Sequence, residues 1–200
     1  MQSIANEIEK SIIKRQRGKI YFTSEFASLG SAEAIKKSLF RLEKSGLLVR
    51  LAHGIYLYPK IDKKLGLGIL YPSVEEVAEK IAKRDKARIV PTGDYALNVL
   101  GLSPQVPVNV VFLTDGVSRK IKIYNQNILF KYTAPKNLAY KSRVLMLVVA
   151  ALKEIGEGNI TDDELQKIKS ALIRDSKENI LADLSLVPAW IRKIITPLIK

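Results

Sequence analysis

The sequence predicts an α+β chain in two parts, and three observations carry that prediction. Residues 23–59 hold two short helix signals joined by a glycine-containing corner, then two β-prone runs that meet at Ala52-His53-Gly54. Residues 61–72 mix charge, two glycines and a proline, as a connection between domains does. Beyond Pro135 the apolar spacing is helical to the end of the chain. Helix, corner, helix and hairpin in that order predict a winged helix-turn-helix over residues 1–60. A mixed α/β domain with C-terminal helices is expected over 73–200, after a linker at 61–72.

The first helix is expected over residues 4–17. Ser3 caps it, Ile4, Ile8 and Ile12 share one face, and Gly18 stops it after Lys14, Arg15 and Arg17. Ile20 to Phe22 reads as a short strand. Thr23 is expected to cap a brief second helix that ends at Gly30. Ser31 caps the third, with Ala32, Ile35, Leu39 and Leu42 as its buried stripe and Gly46 as its stop. Leu47 to Leu51 and Ile55 to Tyr58 form the hairpin.

In the second part Ser73 opens a helix carrying Val74, Val77, Ala78 and Ile81 on one face, and Arg88 to Val90 is a strand. Thr92 is expected to cap a helix that runs to Leu100. Val108 to Leu113 is a continuous apolar strand followed by a Thr114-Asp115-Gly116 turn. Lys120 to Tyr124 and Ile128 to Tyr132 read as a hairpin around residues 125–127. Val144 to Leu152 is apolar on nearly every side, which predicts a buried helix. Thr161 with Glu164 spells a capping box, Ser176 starts a short helix, and Pro188 begins a last one containing Trp190.

Composition narrows the chemistry. There is no cysteine and a single histidine, His53, so thiolate and multi-histidine metal centres are excluded. The first seven residues lack the basic-then-apolar order of a secretory signal, and no apolar run approaches the roughly 20 residues of a membrane helix. A cytoplasmic protein is the expectation. Thirty-three Lys and Arg stand against 20 Asp and Glu, a formal net charge of +13. That balance points to a polyanionic partner.

The third helix is where such a partner would be read. A recognition helix buries one face and offers long polar side chains to bases and phosphates, above all from its N-terminal turns. Glu33, Lys36, Lys37, Arg41 and Lys44 meet that need, and Ser31 with the first backbone N–H groups is placed to hold a phosphate. Arg50, in the wing, is placed for a phosphate or a minor groove. His53 is either a weak sugar–phosphate contact or a turn residue without a role. Taken singly, the charged helix face has an ordinary solvated explanation; the full order of elements favours double-stranded DNA.

Signals for catalysis are thin. Gly66-Leu67-Gly68 lacks the third glycine and the preceding strand of a dinucleotide site, and no phosphate-binding loop motif occurs. Asp94 and Asp115 stand at turns after strands, where carboxylates can hold metal, although caps and turns explain both more cheaply. No catalytic, cofactor-binding or metal-binding residue is assigned. Two alternatives stay open. One is a metal-dependent enzyme directed at nucleic acid and built on Asp94 or Asp115. The other is a winged-helix regulator without a toxin partner, whose second domain takes a small ligand or dimerises.

Several runs resemble a known family. R-G-K-I-Y-F-T-S-E-F at 17–26, L-G-S-A-E-A-I-K-K-S-L-F-R-L-E-K-S-G at 29–46 and V-R-L-A-H-G-I-Y-L-Y-P at 49–59 are similar to AbiEi-type antitoxins, transcriptional regulators of type IV toxin–antitoxin systems. So are A-R-I-V-P-T-G-D-Y-A-L-N-V-L-G-L-S at 87–103, V-P-V-N-V-V-F-L-T-D-G at 106–116, T-A-P-K-N-L-A at 133–139 and L-V-P-A-W-I at 186–191. The resemblance implies a winged helix that binds operator DNA and represses the operon. It also implies a second domain that counters a nucleotidyltransferase toxin encoded alongside. Residues 31–44 and the 50–54 wing would then read the operator. His53 departs from the pattern, since members of that family often carry Arg there.

Overall fold

The computed structural model describes residues 3–199, so Met1, Gln2 and Lys200 at the ends of the two expected domains lie outside the described residues. The chain is α+β and divides into two compact units, Met1–Lys80 and Ile81–Lys200.

In the first unit, α1 (Ile4–Ile13) starts where Ser3 Oγ accepts the Asn6 N–H at 3.3 Å, and it buries Ile8 and Ile12. It ends four residues before the expected last residue, Arg17. Lys14 to Arg17 bring no apolar side chain to the core, and Arg17 instead lays its guanidinium over the Tyr58 ring at 4.7 Å. Strand β1 (Ile20–Phe22) leads into a 3₁₀ helix, Thr23–Leu29. Thr23 lies inside that helix rather than capping it, because its N–H and hydroxyl both turn to the Gly54 carbonyl. Next come α2 (Ala32–Lys44), β2 (Val49–Ala52) and β3 (Ile55–Leu57), and the sheet order is β1-β3-β2, antiparallel throughout. Ile8, Ile12, Phe26, Ile35, Leu39 and Leu48 form the centre of this unit's core, completed by Tyr21, Tyr56 and Tyr58. Full burial of each aliphatic side chain contributes about 1.5–3 kcal/mol.

The stretch expected as a linker is folded. β4 (Lys60–Asp62) pairs with β5 (Gly68–Leu70) as an antiparallel hairpin, and the division between units falls later, inside α3 (Val74–Arg84). Glycines and lysines, read as punctuation, here belong to a hairpin that needs left-handed backbone at Gly66 in its loop and at Gly68 where β5 begins.

In the second unit β6 (Ile89–Thr92), β7 (Asn109–Thr114), β8 (Arg119–Ile123) and β9 (Gln126–Tyr132) make a sheet in the order β6-β7-β9-β8. The β7–β9 pair is parallel and the other two are antiparallel. Thr92 stays in its strand, so α4 (Asp94–Val99) begins after Gly93, whose φ of +62° turns the chain. The β8–β9 turn lies at Tyr124-Asn125, earlier than the 125–127 tip expected. Phe112 lies between Tyr95 and Phe130, with ring centroids 5.8 and 6.0 Å away. α5 (Arg143–Ile155) is the buried helix foreseen at 144–152, lying against β6 and α4. α6 (Asp162–Leu172), α7 (Lys177–Asp183) and α8 (Ala189–Leu198) pack with it through Ile168, Leu172, Ile180 and Ile191. The Thr161–Glu164 capping box is formed, with both reciprocal hydrogen bonds in place.

Candidate nucleic-acid interface

α2 is built by its two faces. Ser31 Oγ accepts the Ala34 N–H at 3.3 Å and caps the helix, a contribution of about 1 kcal/mol. Ile35, Ser38, Leu39 and Leu42 are buried, the Ser38 hydroxyl donating to the Ala34 carbonyl at 2.8 Å. Ala32, expected in this stripe, is exposed in the first turn.

The opposite face carries Glu33, Lys36, Lys37, Arg41 and Lys44, all exposed. They are not equivalent. Lys37 Nζ is 2.8 Å from Glu33 Oε1 one turn earlier, so that pair is already partly neutralised. Lys36 and Arg41, five residues apart, diverge by about 140° around the helix and mark its two margins. Between them stands Phe40, which sequence reasoning missed: it is 51% exposed, with Lys44 Nζ 5.4 Å from its ring centroid. Its signal was present, an apolar side chain off the buried spacing and four residues before a lysine.

The β2–β3 turn brings Arg50 and His53 together. The register shifts between Arg50 and Ala52, a bulge that leaves Leu51 buried and both flanking polar side chains exposed. Arg50 Nη2 donates to His53 Nδ1 at 3.3 Å, and its Nε donates to the Ala52 carbonyl at 3.4 Å. Arginine has no acceptor atom, so His53 Nδ1 is the accepting atom in this contact. His53 therefore helps to orient Arg50 at the tip of the turn.

The carboxylates singled out for metal lie elsewhere. Asp115 accepts the Arg88 backbone N–H at 2.7 Å and Arg88 Nε at 2.9 Å, while Arg88 Nη2 donates to the Pro135 carbonyl at 3.3 Å. The backbone N–H of Arg88, aided by its guanidinium, holds the Asp115 carboxyl below the usual carboxylate range. Asp115 thus pins the start of β6 to the end of β7, and a metal would have to displace Arg88. Asp94 is exposed in the first turn of α4. Among the described residues no cluster of three metal-ligating side chains occurs. A cavity of about 380 Å³ opens between β6 and α5, lined by Val90, Thr92, Met146 and Val149 with Lys136 and Lys153 also contributing.

The family described as "Family of unknown function (DUF6088)" matches residues 7–180, a span that takes in both units. The chain belongs to DUF6088. No curated protein matches its sequence. Among solved structures, this DUF6088 chain is similar to the crystal structure of the RV2827C protein from Mycobacterium tuberculosis, with a TM-score of 0.50 and 14% sequence identity. The similarity covers 100% of this chain and 77% of that one, and at such identity it speaks to fold alone. Among the described residues of the DUF6088 chain no helix is long and apolar enough to cross a membrane.

Proposed function

We propose that this DUF6088 chain is a cytoplasmic DNA-binding autoregulator and antitoxin of a type IV toxin–antitoxin system, repressing its own operon and countering a nucleotidyltransferase toxin. The observation that carries the DNA-binding half is the division of α2: one face buried, the other presenting Lys36, Arg41 and Lys44. The bulged turn bearing Arg50 and His53 serves as the wing. The toxin-countering half rests on the sequence resemblance to AbiEi-type antitoxins. The metal-enzyme alternative loses support at Asp115, whose oxygens are taken by Arg88.

A duplex from the chain's own promoter tests the first half. Lys37→Ala/Arg41→Ala should weaken binding about ten- to a hundredfold at moderate salt and reduce the salt slope by about one, the share of Arg41, since Lys37 is paired with Glu33. Unchanged binding would show that α2 is not the reading element. Co-expression with the neighbouring gene tests the second half: a toxic nucleotidyltransferase whose growth arrest the chain relieves is the expected result. A second reading, a regulator without a toxin partner, is favoured by the β6–α5 cavity, which is within the size range of small-molecule sites. Absence of any nucleotidyltransferase gene nearby would favour it.

A further inference from the structure

The first unit carries a second cationic surface, centred on the β4–β5 hairpin. The pairs Lys60↔Leu70, Ile61↔Ile69 and Asp62↔Gly68 leave Lys63-Lys64-Leu65-Gly66-Leu67 as its loop. Leu65 is 75% exposed and Leu67 63%. A lone exposed leucine is ordinary, but two at one hairpin tip beside two lysines form a local apolar point in a cationic setting. Asp62, the one acidic side chain between residues 60 and 70, is turned into the hairpin, where its Oδ1 accepts the Leu65 N–H at 2.8 Å. A Cβ on Gly66 or Gly68 would meet nothing within 4 Å, so these glycines serve the turn backbone and leave the tip thin.

The base of the hairpin is cationic as well. Arg17 Nη1 donates to the Pro59 carbonyl at 3.0 Å, Lys19 Nζ lies 4.9 Å over the Tyr21 ring, and Gly18 approaches Lys60. Gly18 N–H donates to Tyr58 at one end of β3, whereas Thr23 N–H donates to Gly54 at the other. The hairpin base is therefore about 13 Å along the sheet from the Arg50–His53 turn.

We propose that this hairpin is a second DNA-contacting element, with Leu65 and Leu67 entering a minor groove and Arg17, Lys19, Lys60, Lys63 and Lys64 on the flanking phosphates. The proposal rests on the DNA-binding reading of α2 and extends it. Charge complementarity selects the occupant. A second copy of this surface would set lysines against lysines. Two leucines also fall far short of the roughly 800 Å² per partner of a stable protein interface. A minor groove, by contrast, needs only one or two apolar side chains wedged at a base step, with cations beside them, and answers by kinking.

The test uses the full chain and its promoter duplex, end-labelled for FRET and carrying 2-aminopurine at TA steps. On binding, the wild-type chain should shorten the end-to-end distance and raise 2-aminopurine emission. Leu65→Ala/Leu67→Ala should abolish most of both signals while affinity falls about tenfold, near the lower end of the cost of one mismatched position. Lys63→Ala/Lys64→Ala should lower the salt slope by about two. Circular-dichroism melts should match wild type, since all four side chains are exposed. Wild-type binding with bend, emission and salt slope unaltered in both variants overturns the hairpin assignment and leaves the α2 reading standing. Loss of binding to phosphatidylserine vesicles instead, with DNA signals intact, assigns the tip to a membrane and also overturns it. If the wild-type chain binds no duplex, both readings fail together.

Discussion

The α2 face and the helix-end carboxylates of the second unit treat charge in opposite ways. On α2 the cations point to water: Lys36, Arg41 and Lys44 are exposed, and the one acid on that face is tied to Lys37. In the second unit, Asp183 is 2% exposed and its Oδ2 accepts the N–H groups of Lys141 at 2.6 Å and Ser142 at 2.7 Å. Asp175 Oδ2 accepts the Ser142 hydroxyl at 2.6 Å, and Ser142 Oγ accepts the Leu145 N–H at 2.9 Å. These groups close the N-terminus of α5, where unpaired backbone donors and the helix dipole favour negative charge. The difference teaches that charge type does not mark function; the partner of each charge does. A cation facing water is available to a ligand, whereas a carboxylate saturated by backbone donors is a fastening.

The sharpest way to break this contrast is Asp183→Ala. Asp183 ends α7, where a carboxylate opposes that helix's own dipole, so the Lys141 and Ser142 N–H groups hold it there. Removing it strands two backbone N–H groups, one of them on fully buried Ser142. The expected loss is about 2–3 kcal/mol of stability, read as a lower urea midpoint, with promoter affinity unchanged. A variant as stable as wild type would mean that water replaces the carboxylate and that the fastening is dispensable.

Asp115→Asn gives a smaller effect with a pH signature. Hydrogen bonds from Arg88 lower the folded-state value below the unfolded one of about 4. The stabilisation is therefore fully present above that unfolded value and is lost as pH falls through the folded one. Asn keeps one acceptor but not the charge, so it should cost about 1–2 kcal/mol at pH 7. That difference should shrink below pH 4. A difference that persists unchanged at pH 3 would place the effect in packing instead of ionisation. Gain of metal-dependent nuclease activity in wild type, lost in this variant, would return Asp115 to the enzyme alternative.

The two regions also differed in how far they could be read from sequence. α2 was legible because its cap, its apolar spacing and its charges are local: Ser31, Ile35, Leu39 and Leu42 specify the helix within one segment. Phe40 escaped because only the charged side chains of the outer face were weighed as contacts, although it lies off the buried spacing. The Thr161–Glu164 box was legible for the same local reason. The Asp183–Ser142 fastening was not, since its partners are 41 residues apart and each reads alone as an ordinary helix-end residue. Arg88 and Asp115, 27 residues apart, met only through strand register. The β4–β5 hairpin reads as a linker in sequence because the same glycines and lysines serve both, and it is the cross-strand pairing of Ile61 with Ile69 that distinguishes them.

Glu33→Gln is the smallest perturbation and the most discriminating one on α2. Glu33 is 77% and Lys37 68% exposed, and an exposed pair of this spacing contributes about 0.3–0.5 kcal/mol. Stability should therefore hardly move. On the DNA-binding proposal binding should, because the substitution removes a negative charge from the proposed DNA-facing surface and releases Lys37 for a phosphate. Affinity should rise about two- to threefold at low salt, and the salt slope should steepen by about one. That rise should be the same for every duplex sequence. A fall in affinity confined to duplexes with cytosine at one position would instead show Glu33 accepting from a cytosine amino group. In that case the acid belongs to the reading surface, and Lys37 orients it rather than being masked by it.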